Sequence, residues 1–334
     1  MLQPQAQTRK PAAAAAARVH VALPELVRLK GHAKGFSFLP RQPVHSILAG
    51  RHGSRLRGRG LDFEELRRYQ DGDDPRAMDW LATARLGSPY VRIYSEERDR
   101  EVLLLVDQRL SMFFGSRRAM KSVVAAEVAA LAAWRVTALG DRIGALVFSD
   151  DEIREIRPGA RTPAVMQILD AVVSFNTRLK ADAEARPSPA YLNEVLRRAV
   201  RLARHDALIC LIGDAAGADP ESRRLATRLT EHNDVIAILI YDPLEAALPD
   251  IGRAVVANGE AQIEVDTARR DLRSGFAAGF VDLRRRIENL SRERSIPLLP
   301  VSTDRDPAEQ LREILGRRAS ASRSASARGP APGG

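Results

Sequence analysis

The sequence predicts an α/β protein with a doubly wound, mostly parallel sheet and a small amino-terminal β-rich subdomain. From Glu101 onward, short runs of aliphatic residues alternate with longer segments of helical periodicity. The short runs are apolar throughout, which is typical of strands covered by helices on both faces. The block at about Leu23–Arg100 does not share this alternation. We therefore assign that block to a separate subdomain.

Five apolar runs predict the strands of this sheet, because each is strand-length and rich in aliphatic residues. They are Val102–Val106, Ile143–Phe148, Ala207–Ile212, Val235–Tyr241 and Pro297–Val301. Ile153–Ile156 is expected to be a short hairpin partner, and Ala254–Val265 a hairpin turning at Asn258-Gly259, a dipeptide that favours tight turns. Helices are predicted at about Arg118–Leu139, Pro163–Phe175, Pro189–His205, Pro220–His232, Asp271–Arg294 and Pro307–Arg318.

The two ends of the chain differ in composition from the middle and set the predicted domain boundaries. Residues 1–20 are rich in Gln and Ala without apolar periodicity, and residues 319–334 consist of Ala, Ser, Arg, Gly and Pro. Neither composition can bury a core, so both ends are predicted to be disordered. Between them we predict the amino-terminal subdomain over residues 21–100 and the sheet domain over residues 101–318.

Charge, cysteine usage and hydropathy exclude several classes of protein. The formal net charge is +9, but the basic residues are concentrated at the ends and the folded middle is mildly acidic, so nucleic-acid binding is not the first interpretation. The single cysteine, Cys210, excludes an intramolecular disulfide and is expected to be a small core side chain. The apolar runs fall far short of the roughly 20 residues of a membrane helix. No membrane span is predicted, and the protein is expected in the cytoplasm.

Two carboxylates follow two of the predicted strands. Asp107 comes directly after Val102–Val106, and Asp214 follows the strand that ends at Ile212. The carboxyl ends of parallel strands meet at one edge of the sheet, so the two carboxylates are predicted to lie close together. With the hydroxyl of Ser111, they would suit a hard cation such as Mg²⁺. A carboxylate just past a strand is also a common helix cap, and that alternative stays open for each residue alone.

Arg109 lies between Asp107 and Ser111 and changes what this edge can bind. A guanidinium has no lone pair to offer a metal and stays protonated. If Arg109 points inward, it pairs with Asp107 or Asp214 and competes with Mg²⁺ for one pocket. If it points to solvent, water completes the coordination of the metal. We expect a weak or absent Mg²⁺ site, with Arg109 forming part of a binding rim.

A second informative segment, about Gly53–Glu97, is rich in Gly, Arg and Asp. Counted from Asp71 it fails as a calcium loop, because Arg76 stands where an EF-hand needs Gly and Ala82 where it needs Glu. We interpret the segment as a polar turn crosslinked by arginines to carboxylates, with a tryptophan and a tyrosine as packing anchors. A recognition surface is the alternative. The residues concerned are Arg67, Tyr69, Asp73, Asp74, Arg76, Asp79, Trp80 and Arg85.

Both segments resemble a known family. Asp107-Gln108-Arg109-Leu110-Ser111 resembles the D-x-S-x-S metal loop of von Willebrand A-type domains, with Arg109 in place of the first Ser. Together with Gly58-Arg59-Gly60 and the segment at Asp73–Trp80, it makes the chain similar to the bacterial "domain of unknown function 58" family over about Gly50–Asp304. The resemblance implies a von Willebrand A-like, Rossmann-like fold.

The same resemblance implies a function. Members of the family are commonly encoded beside MoxR-type AAA+ ATPases, so the chain is expected to be an adaptor between such an ATPase and an unknown client protein. The family's loop residues would be Asp107, Ser111 and Asp214, with Ser188 standing in for the usual loop Thr. Arg109 departs from the pattern, which makes the metal-ion-dependent adhesion site degenerate. Many members also carry amino-terminal membrane helices, and this sequence shows none.

Two alternatives to an adaptor follow from the residues themselves. An enzyme is not expected, because the sequence lacks a G-x-S-x-G elbow, a Walker A loop and a G-x-G-x-x-G turn after a strand. The basic stretch Arg51–Arg68 supports a nucleic-acid- or anionic-surface-binding protein as the alternative function. Pairing of these arginines with the neighbouring acidic loop is the favoured interpretation, so a nucleic-acid partner is not expected.

Overall fold

The chain divides into two compact units. Pro40–Asp99 forms the smaller unit, and Met1–Leu39 together with Arg100–Gly334 forms the larger one. The computed structural model describes residues 17–36, 38, 61–70, 73, 75–96, 100–180, 190–203, 205–250, 252–258, 261–294 and 296–326.

The elements below belong to these described residues. The strands are β1 (Leu61–Arg68), β2 (Tyr90–Glu96), β3 (Glu101–Asp107), β4 (Arg142–Phe148), β5 (Ile153–Gly159), β6 (Leu208–Gly213), β7 (Asp234–Tyr241), β8 (Arg253–Asn258), β9 (Ala261–Asp266) and β10 (Leu298–Ser302). The helices are α1 (Leu23–Arg28), α2 (Trp80–Leu86), α3 (Lys121–Ala138), α4 (Arg161–Arg178), α5 (Ala190–Leu202), α6 (Pro220–Thr230), α7 (Pro243–Ala246), α8 (Arg270–Glu293) and α9 (Pro307–Ser326).

A six-stranded sheet forms the centre of the larger unit, in the order β10-β7-β6-β3-β4-β5. Neighbouring strands are parallel except at one edge, where β5 runs antiparallel to β4. The predicted α/β class, the five predicted strands and the hairpin partner at Ile153–Ile156 are confirmed. Because β3 and β6 are parallel neighbours, with Val106 opposite Ile212, the chain leaves both strands at the same edge.

Helices cover both faces of this sheet, which explains why its strands are apolar throughout. On one face α3 is buried along nearly its whole length, with α4 and the start of α9 beside it. On the other face α5 and α6 pack against the sheet. Successive residues of β3 alternate between the two layers, Leu104 in the first and Leu103 and Leu105 in the second.

The prediction that residues 21–100 form one subdomain is wrong for its first part. Val21, Leu26 and Phe36 are buried in the core of the larger unit. Trp134 on α3 donates its indole N–H to the carbonyl oxygen of Leu26 at 3.1 Å. Each aliphatic side chain buried here contributes about 1.5–3 kcal/mol, which holds α1 against α3. The sequence up to residue 39 therefore belongs to the larger unit.

Part of the amino-terminal end that was predicted to be disordered also contributes to the larger unit. Arg18 forms a β-bridge with Ala119, and its guanidinium contacts the Glu127 carboxylate. The Val21 N–H donates to the side-chain oxygen of Asn176 at 2.9 Å. These contacts were not visible as a sequence pattern, because they join positions about a hundred or more residues apart. Residues 1–16 lie outside the described residues.

The last helix is longer than predicted. Its start is set by Asp306, whose carboxylate accepts the N–H of Ala308 at 2.8 Å. The helix continues to Ser326, so the boundary predicted at Ala319 lies within it. The first turns of the helix are held by apolar packing against the core. Ala and Arg have good helix propensity, so the helix continues beyond the last packed residue.

Among the described residues, two antiparallel strand pairs lie outside the six-stranded sheet. In the smaller unit β1 pairs with β2, with Arg68 opposite Tyr90, and α2 lies between them in sequence. In the larger unit β8 pairs with β9, with Asn258 opposite Ala261, as predicted for Ala254–Val265. The predicted turn residue Gly259 lies outside the described residues.

Candidate functional site

The two carboxylates predicted to meet do lie together at the carboxyl edge of the sheet. Asp107 is the last residue of β3, and Asp214 directly follows β6. One guanidinium nitrogen, Nη2 of Arg109, lies 2.6 Å from Asp107 Oδ2 and 3.8 Å from Asp214 Oδ1. All three side chains are buried. The parallel register of β3 and β6 thus places both carboxylates beside one cation.

Gly213 makes this close approach possible. A Cβ atom added at Gly213 would lie 2.8 Å from the Cβ of Asp107 and 3.0 Å from its Oδ2. Separations under 3 Å require neighbouring atoms to move. Here the neighbour is the Asp107 side chain, which cannot move easily because Arg109 binds its carboxylate. Glycine at the end of β6 is therefore needed for the Asp107 carboxylate to occupy its position.

Arg109 points into the protein, which settles the orientation that the sequence left open. The residue is 2% exposed, and its guanidinium binds both carboxylate oxygens of Asp107, with Nε 3.0 Å from Oδ1 and Nη2 2.6 Å from Oδ2. The guanidinium also lies over the Phe148 ring, 5.5 Å from its centroid. Burial raises the pKa of Asp107, and the neighbouring Arg109 opposes that rise. Since a guanidinium keeps its proton, the two form a buried ion pair.

Lys121 is a second internal cation that the sequence reasoning missed. Its ammonium lies 2.9 Å from Asp214 Oδ2 and 2.6 Å from Glu245 Oε1, with 3% of the residue exposed. Burial would raise the pKa of Asp214, but Lys121 and the Ala216 N–H outweigh it and hold that pKa below its ordinary value. Burial would lower the pKa of Lys121, but Asp214 and Glu245 hold it above its ordinary value.

A local sequence signal for Lys121 does exist, although it is weak. The residue begins the long helix α3, whose first four residues are Lys, Ser, Val and Val and whose faces are almost entirely buried. A lysine at the start of a helix that is apolar all round has little solvent to point into. Its partner Glu245 lies over a hundred residues away in the chain, so the pairing itself could not be inferred.

A hydrogen-bond network ties the loops of this edge together. Asp242, fully buried after β7, accepts the N–H groups of Ser116 and Leu244 at 2.9 Å each and the hydroxyl of Thr303. Its own N–H donates to Glu245, the partner of Lys121, at 2.9 Å. The loops after β3, β7 and β10 are thus joined through one carboxylate. The network fixes the conformation of these loops, which form the rim at the carboxyl edge of the sheet.

Ser111 is one of the two predicted hydroxyl ligands; the other is Ser188. Ser111 lies in a short 3₁₀ turn, Leu110–Met112, and its buried hydroxyl has no hydrogen-bond partner among the described residues. The turn is held by Asp150, whose Oδ2 accepts the Leu110 N–H at 2.6 Å. Ser188 lies outside the described residues.

The residues present do not fit a bound Mg²⁺. Such an ion needs several free oxygen ligands in a near-octahedral array. Asp107 accepts from Arg109 with both carboxylate oxygens, and the Asp214 oxygens accept from Lys121 and the Ala216 N–H. Within the described ranges, no group of three or more His, Cys, Asp or Glu side chains is arranged to hold a metal. The two carboxylates are paired with side-chain cations instead, Asp107 with Arg109 and Asp214 with Lys121.

The family-type segment in the smaller unit contains one of the predicted crosslinks. Arg67 binds both oxygens of Asp73, at 2.8 and 3.0 Å, and Asp73 also accepts the Gln70 N–H at 2.8 Å. These hydrogen bonds lower the pKa of Asp73, the backbone one most strongly. Tyr69 is half-buried and its N–H donates to the Pro89 carbonyl. Arg67 is thus paired within the chain with a carboxylate of the acidic loop.

Of the remaining residues of the segment, Trp80 is placed differently from the prediction. Asp79 caps α2, accepting the N–H groups of the second and third helical residues at 3.0 Å. Trp80 was predicted to be a packing anchor, and this is wrong: it is 70% exposed, because it is the first residue of a short helix whose apolar side chains face outward. Arg76 and Arg85 are exposed. Asp74 and the basic residues 51–60 lie outside the described residues.

Fold and site together define the class of this protein: a doubly wound α/β domain with a buried polar cluster at the carboxyl edge of its sheet. The chain belongs to the family described as "Protein of unknown function DUF58", which matches residues 65–286. Within the described ranges, the helices are all too short or too polar to cross a bilayer.

The chain is similar to two mycobacterial proteins. An uncharacterised protein of Mycobacterium tuberculosis (strain H37Rv) is 31% identical over 285 residues, which is 83% of this chain and 86% of that protein. An uncharacterised protein of Mycobacterium avium is 30% identical over 144 residues, 42% of this chain and 83% of that one.

Among solved structures, the conserved hypothetical protein BatB of Bacteroides thetaiotaomicron has 14% identity and a TM-score of 0.39, covering 66% of this chain and 99% of that one. A von Willebrand factor type A protein of Catenulispora acidiphila has 12% identity and a TM-score of 0.30, covering 68% and 44%. At TM-scores this low, the likeness adds nothing to what the strand order itself shows.

Proposed function

We propose that this protein is a non-enzymatic interaction module that binds partners at the carboxyl edge of its sheet without a metal ion. The observation that carries the proposal is the pairing of each rim carboxylate with an internal cation, Asp107 with Arg109 and Asp214 with Lys121. A metal-dependent rim is incomplete until its ion binds. Here the charges are already matched and the loops already joined, so the surface is preorganised for contact.

The charge of the rim indicates the kind of group it would meet. Arg109 and Lys121 face three carboxylates, those of Asp107, Asp214 and Glu245. The loop after β4 adds three further acids at the same edge, Asp150-Asp151-Glu152. A metal site captures an acidic side chain, whereas an acidic rim repels one and favours a basic surface. We therefore propose a partner that presents lysine or arginine here.

The partner class rests on the family. Because relatives of this chain are commonly encoded beside MoxR-type AAA+ ATPases, we propose that the chain works as an adaptor between such an ATPase and a client protein. A rigid rim on a separate protein would give such an ATPase a surface that recognises the client. For the alternative of nucleic-acid binding, Arg67 of the basic stretch is paired with Asp73, and residues 51–60 lie outside the described residues.

Binding of the purified full-length protein to the MoxR-type ATPase encoded in the same genome tests both the adaptor role and the metal-independent contact at the rim. Biolayer interferometry should detect the complex, and EDTA should leave its affinity unchanged. Asp151→Arg, an exposed charge reversal at the rim, should weaken binding about tenfold or more by like-charge repulsion. Asp170→Arg, an exposed reversal on α4, is the matched control and should bind as wild type.

Three outcomes would count against the proposal. Loss of binding in EDTA would contradict a metal-independent rim. Equal effects of the Asp151 and Asp170 variants would show that the rim is not the contact surface. A complete lack of binding to the ATPase would remove the adaptor role and leave the interaction module without its proposed partner.

A further inference from the structure

A cavity of about 520 Å³ lies beside the rim, between the ends of β6 and β7 and the helix α8. Its polar end is formed by Ser111, Lys121, Asp214 and Glu245. Its remaining walls are mainly apolar and include Leu239, Tyr241, Phe280 and two glycines of α8. The volume falls within the range of about 300–1,000 Å³ that is typical of small-ligand sites. None of the interactions assigned above uses this space.

The two glycines keep the cavity open. Gly275 and Gly279 lie one helical turn apart on α8, and both line the cavity. A Cβ atom at either position would meet nothing within 4 Å, so glycine is not required there by crowding. Each glycine in a helix interior costs about 1 kcal/mol relative to alanine. Helix α8 therefore contains two glycines that lower its stability, and both leave space open in the cavity between the helix and the sheet.

The polar end of the cavity has hydrogen-bond donors left over. The buried hydroxyl of Ser111 has no partner among the described residues. The Lys121 ammonium has three N–H donors, of which Asp214 and Glu245 take two. A buried polar group without a partner costs about 1–3 kcal/mol, so an acceptor delivered by a ligand would be stabilised here.

The charges around these donors favour a ligand without charge. A carboxylate entering at the polar end would face Asp214 and Glu245 beside the single ammonium of Lys121. Arg284 also lines the cavity, but its guanidinium is paired with Glu288 at 2.8 Å. An ammonium group would have to displace Lys121 from between the same two carboxylates. A neutral acceptor such as an amide or ketone oxygen meets the Ser111 hydroxyl without either penalty.

We propose that this cavity binds a neutral ligand with an apolar body and one hydrogen-bond acceptor, the acceptor meeting Ser111 and the body lying against Leu239, Tyr241 and Phe280. A second depression of about 220 Å³ shares these three apolar residues, so the site can extend along α8 towards β10. The cavity shares Lys121, Asp214 and Glu245 with the rim, but ligand binding in it does not require the ATPase partner.

The test uses the full-length protein and the neutral fluorophore prodan, a naphthalene ketone with one strong acceptor oxygen. Titration should give saturable binding with enhanced fluorescence. Gly279→Leu fills the cavity and should reduce the affinity at least about tenfold, which is the effect of losing roughly 1.4 kcal/mol of binding free energy. Ser111→Ala removes the donor and should weaken binding about 2- to 10-fold, as expected for one neutral hydrogen bond.

The control variant is Gly316→Leu, on α9, where an added Cβ also meets nothing within 4 Å and no part of the cavity is involved. Thermal denaturation verifies folding, and Gly279→Leu should be at least as stable as wild type because leucine is the better helix former. If Gly279→Leu fails to fold, Gly275→Leu serves the same purpose.

Two displacement arms distinguish the sources of such a ligand. Displacement of prodan by N-acetyl-leucyl-leucinamide supports a peptide side chain with its carbonyl, and displacement by decanamide alone supports a free apolar amide. Absence of saturable prodan binding, or binding that Gly279→Leu and Gly316→Leu change equally, would overturn the proposal. Tighter binding of the anionic fluorophore 1-anilino-8-naphthalenesulfonate than of prodan would overturn the preference for a neutral ligand.

Discussion

Replacing both internal cations should convert the rim into a site that responds to Mg²⁺. Arg109→Ser restores a hydroxyl next to Asp107, and Lys121→Met removes the ammonium from Asp214 while keeping an apolar side chain of similar length. Arg109→Ser alone should not suffice, because Lys121 still lies 2.9 Å from Asp214 Oδ2.

The size of the effect follows from burial. Asp107 is 1% exposed, and removing one partner of a buried ion pair costs about 3–5 kcal/mol because the other charge is left unpaired. In an α/β domain of this size, that corresponds to a Tm lower by about 6–20 °C. An ion bound at a hundred times its Kd returns about 2.7 kcal/mol. The double variant removes two such partners, so Mg²⁺ should recover about a quarter to a half of the stability that it loses.

Thermal denaturation with and without 10 mM Mg²⁺ measures this response in wild type, the Arg109→Ser variant and the double variant. Only the double variant should gain Tm with Mg²⁺. Arg178→Ser, which removes an exposed pair with Glu152, is the control and should cost no more than about 1 kcal/mol. Strong Mg²⁺ stabilisation of the wild-type protein would refute the reasoning, since it would show that the internal cations do not exclude the ion.

Three further predictions concern single residues. Gly213→Ala should lose about 1–3 kcal/mol of stability, because its Cβ would lie 2.8 Å from that of Asp107, whereas Gly316→Ala should be neutral or stabilising in urea denaturation. The pKa of Asp214 is lowered, so its carboxylate stabilises the fold above its ordinary pKa of 3.8, and this stabilisation is lost as the pH falls through the folded value. The free energy of unfolding of the Asp214→Asn variant should not show this loss when the pH is lowered. Burial raises the pKa of Cys210 to about 12, so Ellman's reagent at pH 8 should label it in urea but not in the native protein; rapid native labelling would contradict its burial.

Local patterns predicted the elements of the large domain well. The apolar run Val102–Val106 and its counterparts became strands of one sheet, since a fully apolar strand-length run has no stable place except between two layers of helices. The same reasoning placed Asp107 and Asp214 at one edge, because two parallel neighbouring strands end together. The orientation of Arg109 was left as two alternatives, because sequence alone does not say how much space lies behind a loop.

Other features could not be read from local patterns. Trp80 was expected to pack because large aromatic residues usually do, yet its place at the start of a short exposed helix leaves it outside. The segment around Leu26 was assigned to the wrong unit, because the helix against which it packs lies a hundred residues further along the chain. Both errors arise from contacts, or missing contacts, between distant parts of the sequence.

The amino-acid sequence alone determined the class of fold, the edge where polar residues gather and the doubt about a metal, because each depends on periodicity or on the chemistry of single side chains. Only the tertiary structure decided which cation meets which carboxylate. Lys121 joins Asp214 and Glu245 from three separate elements, and no local rule encodes that meeting. Ion pairing in a buried site depends on distances between elements, and these are set by how the layers pack.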